Sequence, residues 1–324
     1  MGNHPTGSRD LIRAINRSAV LNTIRTNGPI SRTQVARLTG LSPATISGIT
    51  AELMEDDLIF EKAAGDSRGG RRPILLALNP RAGYVVGLKL TEDHVVGAIT
   101  DLEATVIANH TGHLRDHALD TAITVLADVV GALVVEAGIT KDRLLGVGVG
   151  LAGITDARHG VLRHSPIFGW RNAPFAELLR ARLDVLVHID NDVNTLTVTE
   201  QLFGAGQGVE NFLTVTVGRG VGMGIVVNGQ LYRGLNGGAG EFGHTVLDPD
   251  GPPCACGNRG CLETYVSDPS LVRLAAEAAS RGELDEEVRD VEDLLTRAQQ
   301  GNRAAQAVFA QAGEALGRGI ANLI

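Results

Sequence analysis

The chain has 324 residues, 44% of them hydrophobic, 41 glycines and a formal net charge of −8. That length predicts two or three domains, and no apolar run is long enough to cross a bilayer. MGNHPTGSRD at the N-terminus lacks a secretory pattern. The expectation is a cytoplasmic protein with no membrane partner, and three cysteines within eight residues argue against a disulfide framework.

The charge is uneven. Residues 1–81 hold 11 Lys+Arg against 7 Asp+Glu, a net of +4, and the rest holds 18 against 30, a net of −12. A basic head on an acidic body assigns any polyanionic partner to the head. A difference of +4 also arises by chance, so the local patterns have to decide.

In the head, Leu11, Ile15, Val20, Leu21 and Ile24 recur at roughly helical intervals until Gly28-Pro29 stops them. SRTQVARLTG follows, with Ser31 and Gln34 spaced as a capping box, Val35 and Leu38 on the inner face and Gly40 as the exit turn. LSPATISGITAELMEDDLI then starts a third helix, with Ser42 at the N-cap, Pro43 in the first turn and Ile46, Ile49 and Leu53 as its stripe. Two short helices joined by a tight glycine turn predict a helix-turn-helix. Thr45, Ser47 and Gly48 lie mainly off the stripe, where a recognition helix meets base edges. The same spacing fits a plain three-helix bundle. LIFEKAAGDSRGGRRPILLALNP favours the first reading, because it describes a strand, a Gly/Arg-rich tip and a returning strand, which is a wing. Arg68, Arg71 and Arg72 on that tip suit phosphates or a narrow minor groove.

After Pro80 the pattern changes. YVVGLKL, HVVGAIT and ATVIANH predict a meander of strands, which NFLTVTVG, GMGIVVN and QLYRG repeat later, with Asn228-Gly229 as a hairpin turn. Between them are expected a helix over about 120–137, the strand LLGVGVGLAG, a helix near 174–182 and the strand VLVHIDND. A repeated meander followed by alternating helix and strand predicts two related α/β lobes. His110, His113 and His117 in NHTGHLRDH lack regular helical spacing and a partner carboxylate, and are expected in a solvated loop.

GAGEFGH followed by CACGNRGCLE resembles the signature of the ROK family of repressors, uncharacterised reading frames and sugar kinases, IDNDVNT resembles its catalytic-loop motif, and VGRGVGMG its second glycine-rich turn. With the winged head, the resemblance is to the repressor branch, which includes xylose and N-acetylglucosamine repressors. It implies an α/β protein in which an N-terminal winged helix-turn-helix (1–81) precedes an actin-like, ribonuclease-H-like domain of two lobes (82–194 and 195–324). Family members continue for several more elements, so the second lobe is expected to be incomplete at residue 324.

His244, Cys254, Cys256 and Cys261 offer the four ligands of a closed, structural zinc site; reduced surface thiols are the alternative, which their clustering disfavours. In the resembling family, residues matching Glu241, His244 and Glu263 contact sugar hydroxyls, and the residue matching Asp192 is the general base of the kinases. Asn191 and Asp192 complete the polar set, although Asp192 can also simply cap the helix that follows. The kinases place Asp-x-Gly-Gly-Thr-Lys at the first hairpin, where this chain has Lys89, Leu90, Thr91, Glu92, Asp93 and His94. Two carboxylates there repel a triphosphate, and Arg219 stands for threonine in the second turn. SPIFGW puts Ile167 where the kinases carry a sugar-contacting asparagine, with Arg171 and Asn172 as nearby replacements.

The expected protein is a sugar-responsive DNA-binding regulator, a repressor, that uses a degenerate kinase domain as sensor with Asp192 as a vestigial base. Its expected partners are a double-stranded operator, a sugar or sugar-derivative effector and further copies of itself, in a homodimer or higher homo-oligomer. An ATP-dependent sugar kinase with a winged head, and a regulator governed by a protein partner, are the alternatives.

Overall fold

A computed structural model describes residues 9–62, 74–284 and 287–323. They pack as two compact units. One holds the described residues of Met1–Leu88, Asp93–Gly148 and Leu179–Val187; the other holds those of Lys89–Glu92, Val149–Leu178 and His188–Ile324.

The head comprises α1 (Arg9–Asn27), β1 (Ile30–Ser31), α2 (Arg32–Thr39), α3 (Pro43–Glu55), β2 (Ile59–Lys62) and β3 (Leu75–Leu78). Local chemistry sets its boundaries. Ser31 and Gln34 form the reciprocal capping box of α2, and Gly40 ends that helix in the left-handed region at φ 70°. Ser42 caps α3 with Pro43 in its first turn. Val20, Ile24, Ile30, Val35, Ile46, Ile49, Leu53, Ile59 and Leu76 form one buried cluster. Leu11 and Ile15, expected to face inward, are exposed instead, because the cluster draws on α1 only from Val20 onward; Leu38 of α2, also expected on the inner face, is exposed as well. Strands β1, β3 and β2 form an antiparallel sheet in that order. Arg32 ties α2 to the rest, donating to Thr50 Oγ1 at 3.2 Å and Glu61 Oε1 at 2.9 Å.

Next come β4 (Tyr84–Leu90), β5 (His94–Thr100), β6 (Val106–His113), α4 (Leu119–Glu136), β7 (Leu144–Leu151), β8 (Ile154–Asp156), β9 (Val161–His164), β10 (Arg171–Ala173), α5 (Phe175–Leu183) and β11 (Val187–Asn191). Five of these strands form a sheet in the order β6-β5-β4-β7-β11. His110 and His113 lie in β6, paired with Gly97 and His94, rather than in the expected loop. His110 also finds the carboxylate partner that the local sequence lacked, with Nδ1 2.8 Å from Glu136 on α4.

The chain continues with α6 (Asp192–Phe203), β12 (Phe212–Val217), β13 (Val221–Val227), β14 (Gln230–Leu231), α7 (Glu263–Val266), α8 (Asp268–Ser280), α9 (Val291–Gln299) and α10 (Arg303–Ala321). β12-β13-β14 repeats the antiparallel meander of β4-β5-β6. Asn228 and Gly229 make its hairpin turn with φ 51° and 71°, the positive pair of a two-residue hairpin. Helix α6 lies close on β13, so a β carbon on Gly224 would stand 1.8 Å from Thr197 Oγ1. No helix among the described residues is long and apolar enough to cross a membrane.

Candidate functional site

Residues 246–261 form a knuckle. Val246 bridges Cys261 and Pro253 bridges Arg259, and Cys254 N–H donates to Asn258 O at 2.8 Å. Only glycine fits at 260, where φ is 58° and a β carbon would lie 1.6 Å from Asp248 O. This folding brings the ligand atoms of His244, Cys254, Cys256 and Cys261 within 4.8 Å of one another.

The spacing suits zinc. Ligand bonds of about 2.3 Å to sulfur and about 2.0 Å to nitrogen, at tetrahedral angles, put S···S near ~3.8 Å and S···N near ~3.5 Å. Cys256 Sγ lies 3.7 Å from Cys261 Sγ, and Cys254 Sγ lies 3.5 Å from His244 Nδ1. Burial pushes the Cys261 thiol up to about 12, whereas the backbone N–H of Asn258 draws Cys256 down. A metal cation held by these four residues would supply the positive charge that a thiol as buried as Cys261 needs to ionise.

His244 ends a single 3-10 turn, Phe242–His244, whose N-cap is Glu241. Residues three apart eclipse on such a turn, and Glu241 Oε2 accordingly lies 3.8 Å from His244 Nε2. With Nδ1 turned to the thiols, Nε2 is left facing the carboxylate side. Burial raises the Glu241 carboxyl above its ordinary range; nearby His244 opposes this and Glu263 adds to it. Glu263, at the start of α7, accepts from Val221 N–H at 2.9 Å through Oε2. Gly220 makes that approach possible, since a β carbon there would stand 2.9 Å from the same oxygen.

Asn191 is the N-cap of α6. Its Oδ1 accepts from Val193 and Asn194 N–H at 2.8 and 3.2 Å, and its Nδ2 donates to Gly153 O at 3.1 Å. The cap expected of Asp192 therefore falls mainly to Asn191, although Asp192 Oδ1 also accepts from Val193 N–H at 3.1 Å. Asp192 Oδ2 lies 3.2 Å from Lys89 Nζ. Arg219 pairs with Glu92, which links the second glycine turn to residues after β4. Asp93 contacts its neighbour His94 at 2.6 Å.

Sequence reasoning missed Asp190. It is buried and accepts from four donors: Asn191 N–H at 2.8 Å, Asn194 Nδ2 at 3.0 Å, and Arg233 Nε and Nη2 at 2.8 and 2.7 Å. Its position directly before Asn191 was the available signal; Arg233 lies too far along the chain to be paired by eye. Arg171 and Asn172 are exposed on β10.

On α3, Ser47 and Gly48 are exposed together with Ala44 and Ala51. Thr45 is half-buried, its Oγ1 2.8 Å from Ser42 Oγ, and it lines a shallow groove with Ile12, Arg13 and Asn16 of α1. Arg68, Arg71 and Arg72 lie outside the described residues.

A winged helix-turn-helix ahead of two strand meanders and a Cys/His knuckle defines a DNA-binding head joined to a sugar-kinase-like body. Residues 13–59 match a winged helix-turn-helix DNA-binding family and residues 85–324 match the ROK family; the chain belongs to the ROK family, and its body has that family's actin-like fold. It is 34% identical to the xylose repressor of Bacillus spizizenii over 262 residues, covering 81% of this chain and 68% of that protein. It is similar to the crystal structure of a ROK family transcriptional regulator, a homologue of the E. coli MLC protein, with a TM-score of 0.86 at 28% identity, covering 96% of this chain and 80% of that one. A ROK family glucokinase from Streptomyces griseus, solved with glucose and AMPPNP, is similar at a TM-score of 0.62 and 30% identity, over 74% of this chain and 79% of that one.

Proposed function

We propose that the chain is a sugar-responsive transcriptional repressor that binds a double-stranded operator through its head and a sugar through its body, without phosphorylating the sugar. The observation that carries this reading is the union of a winged helix-turn-helix with a ROK body in one chain that is 34% identical to a xylose repressor. Ser47 and Gly48, with Thr45 at the edge, are the α3 residues assigned to base edges, and Arg68, Arg71 and Arg72 are assigned to the DNA backbone or minor groove.

In the body, Asp192, Glu241, His244 and Glu263 are assigned to sugar hydroxyls, because carboxylate oxygens accept hydrogen bonds from O–H donors. Asn191 belongs to this set as the residue that fixes the start of α6, its own polar atoms being engaged by backbone. A Zn2+ ion held by His244, Cys254, Cys256 and Cys261 pins the loop between Glu241 and Glu263. With all four positions filled by protein, that ion has a structural role.

Kinase activity is the second reading, favoured by the glucokinase likeness and by Asp192 at the base position. Against it, phosphoryl transfer needs open backbone amides and a metal-binding acid. Here Lys89 stands at the position of that acid and contacts Asp192, Glu92 is occupied by Arg219, and the Val221 amide is taken by Glu263. The first phosphate-binding motif is therefore read as lost. Two half-sites on an operator require a homodimer, and a repressor works in the cytoplasm.

A gel-shift on the DNA upstream of the protein's own gene, repeated with xylose, glucose and N-acetylglucosamine, tests the proposal. Retarded DNA whose affinity shifts with one sugar is expected. Coupled ATP turnover with any of those sugars contradicts the non-enzymatic part.

A further inference from the structure

The lysine and two arginines around Asp192 are each matched to a carboxylate. Lys89 Nζ lies 3.2 Å from Asp192, Arg233 holds Asp190 at 2.7 and 2.8 Å, and Arg219 pairs with Glu92. Glu241 and Glu263 add two more carboxylates that, among the described residues, pair with no lysine or arginine. The ionic neighbour of Glu241 is His244 at 3.8 Å, and Glu263 accepts a backbone N–H. Five carboxylates thus stand against one lysine and two arginines, with His244 and His164 as the further charge partners of Glu241.

We infer that this site takes an uncharged sugar and discriminates against its phosphate monoester, with Glu92 as a specificity-determining residue. The inference rests on the sugar-sensor reading and narrows its ligand. A monoester carries close to two negative charges at neutral pH. To reach Lys89 or Arg219 it has to displace Asp192 or Glu92. Each displaced carboxylate stays beside the incoming phosphate, because one is fixed at the first turn of α6 and the other directly follows β4. Like charges a few ångströms apart in a partly desolvated site repel by more than thermal energy.

Lys89 and Arg219 are 59% and 66% exposed, so neither ion pair is strong in itself. The selectivity comes from the excess of carboxylate. An uncharged sugar meets the opposite situation: its hydroxyls are donors, and carboxylate oxygens accept hydrogen bonds from them. Glu92 cancels the one arginine on the second glycine turn, and in doing so removes the nearest foothold for a phosphate.

Calorimetric titration of the full-length, zinc-loaded chain tests this with xylose, glucose and N-acetylglucosamine, each beside its monophosphate. A sugar that binds at least tenfold more tightly than its monophosphate supports the inference. Equal or tighter binding of a monophosphate overturns it and leaves the sugar-sensor reading standing. No heat from any sugar or monophosphate removes that reading, and the inference falls with it. Glu92→Gln frees Arg219 and should raise monophosphate affinity several-fold, more than it changes affinity for the uncharged sugar; an unchanged ratio overturns the role given to Glu92. Circular dichroism of the variant establishes that it is folded.

Discussion

On the proposed reading, Asp192 marks the difference between sensing a hydroxyl and activating it. A general base needs a carboxylate free to take a proton from the substrate. Here one oxygen receives the Val193 amide and the other lies against Lys89. Such a group serves as a hydrogen-bond acceptor, and hydrogen bonds to charged groups are worth roughly 1.5–3 kcal/mol. Asp192→Asn should therefore weaken sugar binding at least tenfold in a calorimetric titration while leaving operator binding intact; unchanged sugar affinity would remove Asp192 from the site. Other single residues matter to the fold alone. Ser42→Ala, which removes the α3 cap, should cost about 1 kcal/mol in denaturant unfolding. The caps at Ser31, Gly40 and Ser42 were legible in the sequence because each is satisfied within four residues. The pairing of Lys89 with Asp192, and of Arg219 with Glu92, was not, because tertiary folding brings those residues together.

At the scale of elements, the knuckle between Glu241 and Glu263 does most to shape the site. The clustering of His244 with Cys254, Cys256 and Cys261 was legible from spacing, but the contact of Glu263 with the Val221 amide depends on where α7 is placed against β13. Cys256→Ser should lower bound zinc, measured by metal analysis, and abolish sugar binding. DNA binding should persist, because the head has its own buried cluster. The helix α6 and strand β13 meet through glycine, and Gly224→Ala, which places a carbon against Thr197, should destabilise the body by about 1–3 kcal/mol in thermal unfolding.

The β8–β9 hairpin contributes a pH dependence. Burial pushes the Asp156 carboxyl up, but hydrogen bonds from Arg163 and His159 outweigh that and bring it from 3.8 to about 2. A depressed carboxyl contributes stability that is fully present above its ordinary value and is lost as pH falls through its folded value. Asp156→Asn should accordingly flatten the loss of stability between pH 3.8 and about 2, followed by acid unfolding. The misplaced histidines of β6 belong to this scale too. Polar residues on a strand read locally as a loop, and the carboxylate that engages His110 sits on α4.

For the whole molecule, the separation of charge between head and body was legible from composition alone, and so was the order of a winged head followed by two meanders. The number of copies that assemble and the sugar that binds depend on surfaces and pocket shape that no local pattern encodes. A repressor of this design couples its two ligands through a free energy of about 1–3 kcal/mol, a change of roughly 5- to 150-fold in operator affinity. Its hold on DNA should also weaken steadily with added salt if the proposed arginine contacts to phosphates supply part of it. The most direct test is operator affinity measured by fluorescence anisotropy with and without sugar, in the absence of any nucleotide. The account predicts that one unphosphorylated sugar alone shifts that affinity by at least fivefold; a shift that appears only when ATP is added, with phosphorylated sugar as product, would contradict it.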